Sequence, residues 1–147
     1  MRLADAIRAA GKVLICGNGG SYANAMHIAN DLQMCGITAI TLDPATLTAS
    51  GNDYGYETVF ARWVASCGRA GDLLIALSGS GKSPNILAAL KIARDKGMVT
   101  YAIVGAFNER PDAAAHADYC TALGKDMQEA EEQQLWLGHE AMRSLRT

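Results

Sequence analysis

The chain has 147 residues, half of them apolar and 19% charged, and Lys+Arg 13 against Asp+Glu 15 leaves a net charge of −2. That length suits one domain over residues 1–147, burying roughly 70% of the surface its unfolded form exposes. High apolar content with low net charge excludes disorder, and no run approaches the ~18 apolar residues of a membrane span, so a soluble protein is expected.

Residues 2–10 have helical apolar spacing and stop at Gly11. KVLIC (12–16) is a short apolar run read as a buried strand, ended by Gly17-Asn18-Gly19-Gly20. Ser21 is an N-cap candidate for a helix over 22–35, closed by Gly36. ITAITL (37–42) is the second strand, stopped by Asp43-Pro44, and residues 45–54 mix small and turn-forming residues that point to no single element. An amphipathic helix over 56–67 ends at Gly68, and DLLIAL (72–77) is the third strand. After the loop Ser78-Gly79-Ser80-Gly81-Lys82-Ser83, Pro84 suits a first helical turn and a helix runs over 85–96 to Gly97. VTYAIVGA (99–106) is the fourth strand, NERPDAAAHA a loop with room for one helical turn, DYCTAL (118–123) the fifth strand, and 127–146 a long final helix.

Five strands alternating with helices, each strand a near-continuous apolar run, imply an α/β three-layer sandwich. Its centre is a five-stranded parallel sheet with right-handed crossovers and helices on both faces, a doubly wound, flavodoxin-like arrangement. Lys and Arg are scattered singly, so no basic stripe marks a nucleic-acid partner. Cys16, Cys35, Cys67 and Cys120 sit in apolar segments at irregular spacings without a CxxC pair, which fits reduced, partly buried thiols in a cytoplasmic protein. Asp5, Arg8 and Lys12 interrupt any signal-peptide core.

In such sheets the ligand lies beyond the carboxyl ends of the strands, and both small-residue loops, 17–21 and 78–83, fall there and open helices. Gly17-Asn18-Gly19-Gly20-Ser21 lets backbone N–H groups approach an oxyanion at a helix N-terminus, or is a tight turn without ligand. A GxGxxG dinucleotide loop fails because Tyr22 stands where the last glycine belongs. The second loop ends in GKS, but Ala76 replaces the first Walker glycine. The better reading is a hydroxyl cradle for one phosphate ester built by Ser78, Ser80 and Ser83; a nucleotide P-loop and a bland turn are its rivals. His27 and Asp31, four apart, share a helix face as metal ligands, an acid/base pair or a surface hydrogen bond. Glu131 and His139 are eight apart, about 12 Å along a helix, so long side chains lean inward or only one of them reaches a shared metal.

CGNGGSYANAMHIANDL, GNDYGYETVFARWV, LSGSGKSPNILAALKIARDKG and EEQQLWLGHEAM, in that order over residues 12–142, resemble the phosphoheptose isomerases of the sugar isomerase (SIS) domain superfamily. The resemblance implies an SIS fold in a homotetramer with sites at subunit interfaces. It implies that Ser78, Gly79, Ser80 and Ser83 hold the sugar phosphate, with Asn18, Gly19, Ser21 and Asp53 lining the pocket. It places a zinc ion on His27, Asp31, Glu131 and His139, and makes Asp31 and His139 the proton-transfer pair. Asp31 stands where the family has Glu, Glu131 where it has Gln, and Lys82 where it has Asn. The function implied is aldose–ketose isomerisation of a sugar phosphate, sedoheptulose 7-phosphate first. The alternative is a non-catalytic SIS domain that binds sugar phosphates or acts as a regulatory partner, and a nucleotide hydrolase is a third reading.

Overall fold

In the computed structural model, which describes residues 1–109 and 111–147, the apolar runs form β1 (Val13–Gly17), β2 (Ala39–Thr41), β3 (Leu73–Ser78), β4 (Val99–Gly105) and β5 (Tyr119–Leu123). They build one sheet in the order β2-β1-β3-β4-β5 with every pairing parallel, as the run pattern predicts. Side chains alternate across it. Val13, Ile15, Leu73, Ile75, Leu77, Tyr101 and Ile103 pack with α1 (Leu3–Ala9), α2 (Gly20–Met34) and the long α7 (Met127–Arg146). Leu14, Cys16, Leu74, Ala76, Ala102 and Val104 pack on the other face with α4 (Val59–Cys67) and α5 (Pro84–Asp95), helped by Ala113 of α6 (Asp112–His116). Burial of both faces is what makes the central strands uniformly apolar.

Residues 45–54 are helical: α3 spans Pro44–Tyr54. The Asp43-Pro44 pair, read in the sequence as a strand stop, is also a helix start. Asp43 Oδ1 accepts from Thr46 N at 2.9 Å, and Pro44 occupies the first turn, where its missing N–H is harmless. The helix expected over 56–67 opens as a short 3₁₀ turn, Tyr56–Thr58, before α4 begins.

The strand order reverses direction between β1 and β3, and Gly17 pairs with Leu77 across that junction. The loops after these two strands are therefore neighbours at the carboxyl edge of the sheet, where a doubly wound fold opens its ligand crevice.

Candidate active site

The first loop turns from β1 into α2 through Gly19, whose φ of 57° only glycine adopts readily. Helix α2 starts two residues earlier than the sequence suggests. Gly19 is its N-cap, and Ser21 lies inside the first turn, where it is buried and donates from Oγ to Gln134 Oε1 at 3.1 Å. The second loop turns through Gly81, φ 68°, where a Cβ would sit 2.4 Å from Pro111 Cβ. Ser78 Oγ accepts from Gly81 N at 3.0 Å and Ser80 Oγ from Lys82 N at 3.2 Å. Those two amides are used within the loop, which leaves the serine O–H groups to donate outward. Ser83 is the α5 N-cap without a capping bond from its side chain, so its hydroxyl is free as well.

The two loops are tied together. Asn18 and Asn85 exchange reciprocal amide hydrogen bonds of 2.9 Å, and Tyr56 donates its hydroxyl to Asn18 Oδ1 at 2.6 Å. Between the loops lies a cleft of about 280 Å³ lined by Asn18, Gly19, Ser21, Ser78, Gly79, Ser80 and Ser83 among others, seven of the residues expected to touch substrate. Asp53, the eighth, does not line it. Helix α3 carries Asp53 to an exposed last turn, where it accepts from Asn52 Nδ2, and the segment's contact with the site is Tyr56 instead. Lys82 is exposed and outside the cleft lining.

His27, about 9 Å along α2 from Ser21, and Asp31, one turn further on, meet His139 of α7. His27 Nε2 lies 3.1 Å from His139 Nε2 and 3.3 Å from Asp31 Oδ2, and His139 Nε2 lies 3.2 Å from Asp31 Oδ2. Asp31 Oδ2 is buried with no hydrogen-bond donor among the described residues, an arrangement that burial penalises unless a cation is present. A tetrahedral ion with bonds of about 2.0–2.1 Å separates its ligands by about 3.3 Å, so these three atoms outline one face of such a shell and fit a divalent metal.

Glu131 does not join them. The eight-residue rise separates it from His139, and its carboxylate turns toward the loops: a Cβ on Gly20 would lie 2.3 Å from Glu131 Oε2. Of the two α7 ligands considered from sequence, His139 alone reaches the cluster.

Gln134 was invisible to sequence reasoning. It is 1% exposed, and its Oε1 accepts from Ser21 Oγ and, at 3.0 Å, from Asn24 Nδ2, which also donates to the Glu131 carbonyl at 2.8 Å. This clamp, with Gly138 packed so closely on Ile28 that a Cβ would stand 2.6 Å from Ile28 Cγ1, sets the register of α2 against α7 and hence the triangle of His27, Asp31 and His139. The signal in the sequence was Gly138, a glycine inside the long last helix.

The chain is similar to known proteins in both sequence and fold. The family model described as "SIS domain" matches residues 2–105. The phosphoheptose isomerase of Akkermansia muciniphila is 40% identical over 144 residues, 92% of this chain and 75% of that protein. That of Rhodospirillum rubrum is 47% identical over 109 residues, 68% of this chain and 57% of that protein. The solved structure of phosphoheptose isomerase GmhA from Neisseria gonorrhoeae superposes with a TM-score of 0.86 at 33% identity, covering 98% of this chain and 80% of that one.

Proposed function

Because the chain belongs to the phosphoheptose isomerases of the SIS domain family, we propose that it interconverts aldose and ketose forms of a sugar phosphate, with sedoheptulose 7-phosphate as the substrate to test first. The meeting of His27, Asp31 and His139 from two helices, one helical stretch away from a serine-lined cleft, carries the reading.

The phosphate ester is held by the Ser78, Ser80 and Ser83 hydroxyls at the N-terminus of α5, whose dipole favours an anion. The sugar chain then runs along α2 toward the triangle. Asp31 keeps Oδ2 toward the imidazoles, and its other oxygen takes the proton from the carbon beside the carbonyl. The C–H electron pair becomes the enediol double bond, and the carbonyl oxygen receives a proton from His139. Asp31 then returns the proton to the former carbonyl carbon, while the hydroxyl on the first carbon gives its proton back to His139 and its oxygen becomes the new carbonyl. A divalent ion, zinc by preference, fits on His27, Asp31 and His139, where it would supply the polarisation of the substrate oxygen that a His139 proton otherwise supplies.

A cytoplasmic homotetramer completes the proposal. Four unpaired cysteines suit a reducing compartment, no helix among the described residues is long and apolar enough to cross a membrane, and Trp136 on α7 is left 54% exposed.

Turnover of sedoheptulose 7-phosphate by the purified chain, with and without added zinc, is the test. Asp31→Asn should lower it by about 10²–10⁴-fold with fold and phosphate binding retained. Replacing Ser78, Ser80 and Ser83 together by Ala should abolish phosphate-ester binding. Wild-type protein that binds sugar phosphates and isomerises none would assign the chain to the sensing relatives instead.

A further inference from the structure

The loop after β4 reaches the back of the serine-rich loop. Asn108 Nδ2 donates to the Gly79 carbonyl at 2.6 Å and to the Gly105 carbonyl at 3.2 Å, one N–H for each. Gly105 N donates to the same Gly79 oxygen at 3.0 Å, so both lone pairs of that oxygen are engaged. Gly105 makes the approach possible, because a Cβ there would stand 2.6 Å from Gly79 O. Gly79 and Ser80 line the cleft, whereas Gly105 and Asn108 do not. The Gly79 carbonyl is therefore held from the side away from the cleft. The peptide between Gly79 and Ser80 is trans, and a trans peptide directs its N–H opposite to its C=O. The Ser80 N–H thus faces the cleft side, and it has no acceptor among the described residues.

Resting on the sugar-phosphate reading above, we propose that Asn108 is a positioning residue for the phosphate ester: it pins the Gly79–Ser80 peptide so that the Ser80 N–H stays turned to the cleft as a donor. The loop needs such a pin. Without a Cβ, Gly79 sets little steric limit on its own φ and ψ, so the peptide that follows it can rotate. A flipped peptide would offer the Gly79 oxygen to the cleft, an acceptor set against an anion. With both donors in place a flip breaks two hydrogen bonds, and without Asn108 it breaks one. Asn108 stands outside the cleft lining and acts through the backbone, so that the donor is oriented before the ester arrives.

Asn108→Leu tests this, since it keeps the size and removes both N–H groups; Asn108→Ala is the second variant should the first fold poorly. The readouts are calorimetric titration with inorganic phosphate, the amide resonance of Ser80 in a nitrogen-15 spectrum, and steady-state turnover of sedoheptulose 7-phosphate. In the wild type, saturating phosphate should move the Ser80 amide proton downfield, the mark of a new hydrogen bond to an anion. In the variant that shift should shrink and phosphate affinity should fall about tenfold. KM should rise by about the same factor with kcat within about twofold, because the lost contact serves substrate and transition state alike. Cobalt(II) affinity, a probe of His27, Asp31 and His139, should stay within about twofold. Unchanged phosphate affinity in the variant overturns the proposal. So does a wild-type Ser80 amide that ignores bound phosphate, or a fall in kcat with KM unmoved. Wild-type protein that binds neither phosphate nor sugar phosphate overturns the underlying functional reading and this one with it, a result visible without either variant.

Discussion

At the scale of single residues, the proposed chemistry rests on Asp31. Its carboxylate is one methylene shorter than the Glu of the family it joins, and it still reaches within 3.3 Å of His27 and 3.2 Å of His139. Two outcomes separate the meanings of that length. If Asp31→Glu speeds turnover, the native base sits short of its ideal position, since misplacement by about 1 Å costs on the order of 10²-fold. If it slows turnover, the pocket is shaped around Asp31 for another sugar. His27→Ala should mainly weaken metal binding, with activity partly restored by excess zinc; loss of activity beyond zinc rescue would give His27 a part in the chemistry itself. Cys16, beneath the first loop, is a residue-scale probe of the core. Burial pushes its thiol up to about 12. The unfolded chain forms the thiolate from about pH 9 and the folded chain does not, so stability from this group is complete below pH 9 and is lost between pH 9 and 12. Urea unfolding across that interval should show a steeper decline for wild type than for Cys16→Ala, and equal slopes would contradict the assignment.

Among elements, the pairing of α2 with α7 matters most, because the triangle draws two members from one helix and the third from the other. Gly138 lets the helices approach, and the Gln134 clamp fixes their register. Gly138→Ala has no room, since its Cβ meets Ile28 at 2.6 Å. It should cost about 1–3 kcal/mol by overpacking and also weaken cobalt(II) binding by spreading His139 from His27 and Asp31. Thermal melts and metal titration check the two effects together; a destabilised protein with unchanged metal affinity would uncouple helix packing from the site. Gln134→Leu removes the acceptor of Ser21 and Asn24 and should act in the same direction, at about 1–3 kcal/mol for the groups it leaves unpaired.

For the whole molecule, the open question is assembly, and most of the apolar side chains on α7 and α4 are taken up within the chain. Leu135, Leu137 and Leu145 of α7 pack against the chain's own core, and Val59, Phe60, Trp63 and Val64 of α4 are buried there too. Large apolar side chains left exposed include Trp136 on α7 and Met26 and Met34 on α2. Met26 and Met34, eight residues apart, share a helix face. Light scattering at micromolar concentration should give a mass well above the 15.5 kDa protomer, and Trp136→Glu should lower it. A wild-type monomer would remove both the oligomer and any site shared across it.

Periodicity and punctuation in the sequence by themselves determined the five strands, their alternation with helices and the position of both loops at strand ends. These are local properties, decided by apolar runs, glycines and prolines within a few residues. The serine cradle was legible for the same reason, because Ser78, Ser80 and Ser83 are close in the chain. Tertiary structure alone decided which distant groups meet. Periodicity put His27 and Asp31 on one helix face, but the approach of His139 depends on how closely α7 packs at Gly138. Tyr56 rather than Asp53 reaches the loops because α3 extends to Tyr54 and turns the acid outward. Glu131 faces the cleft rather than the metal-competent cluster because an α-helix advances about 12 Å over eight residues, a separation its side chain does not span.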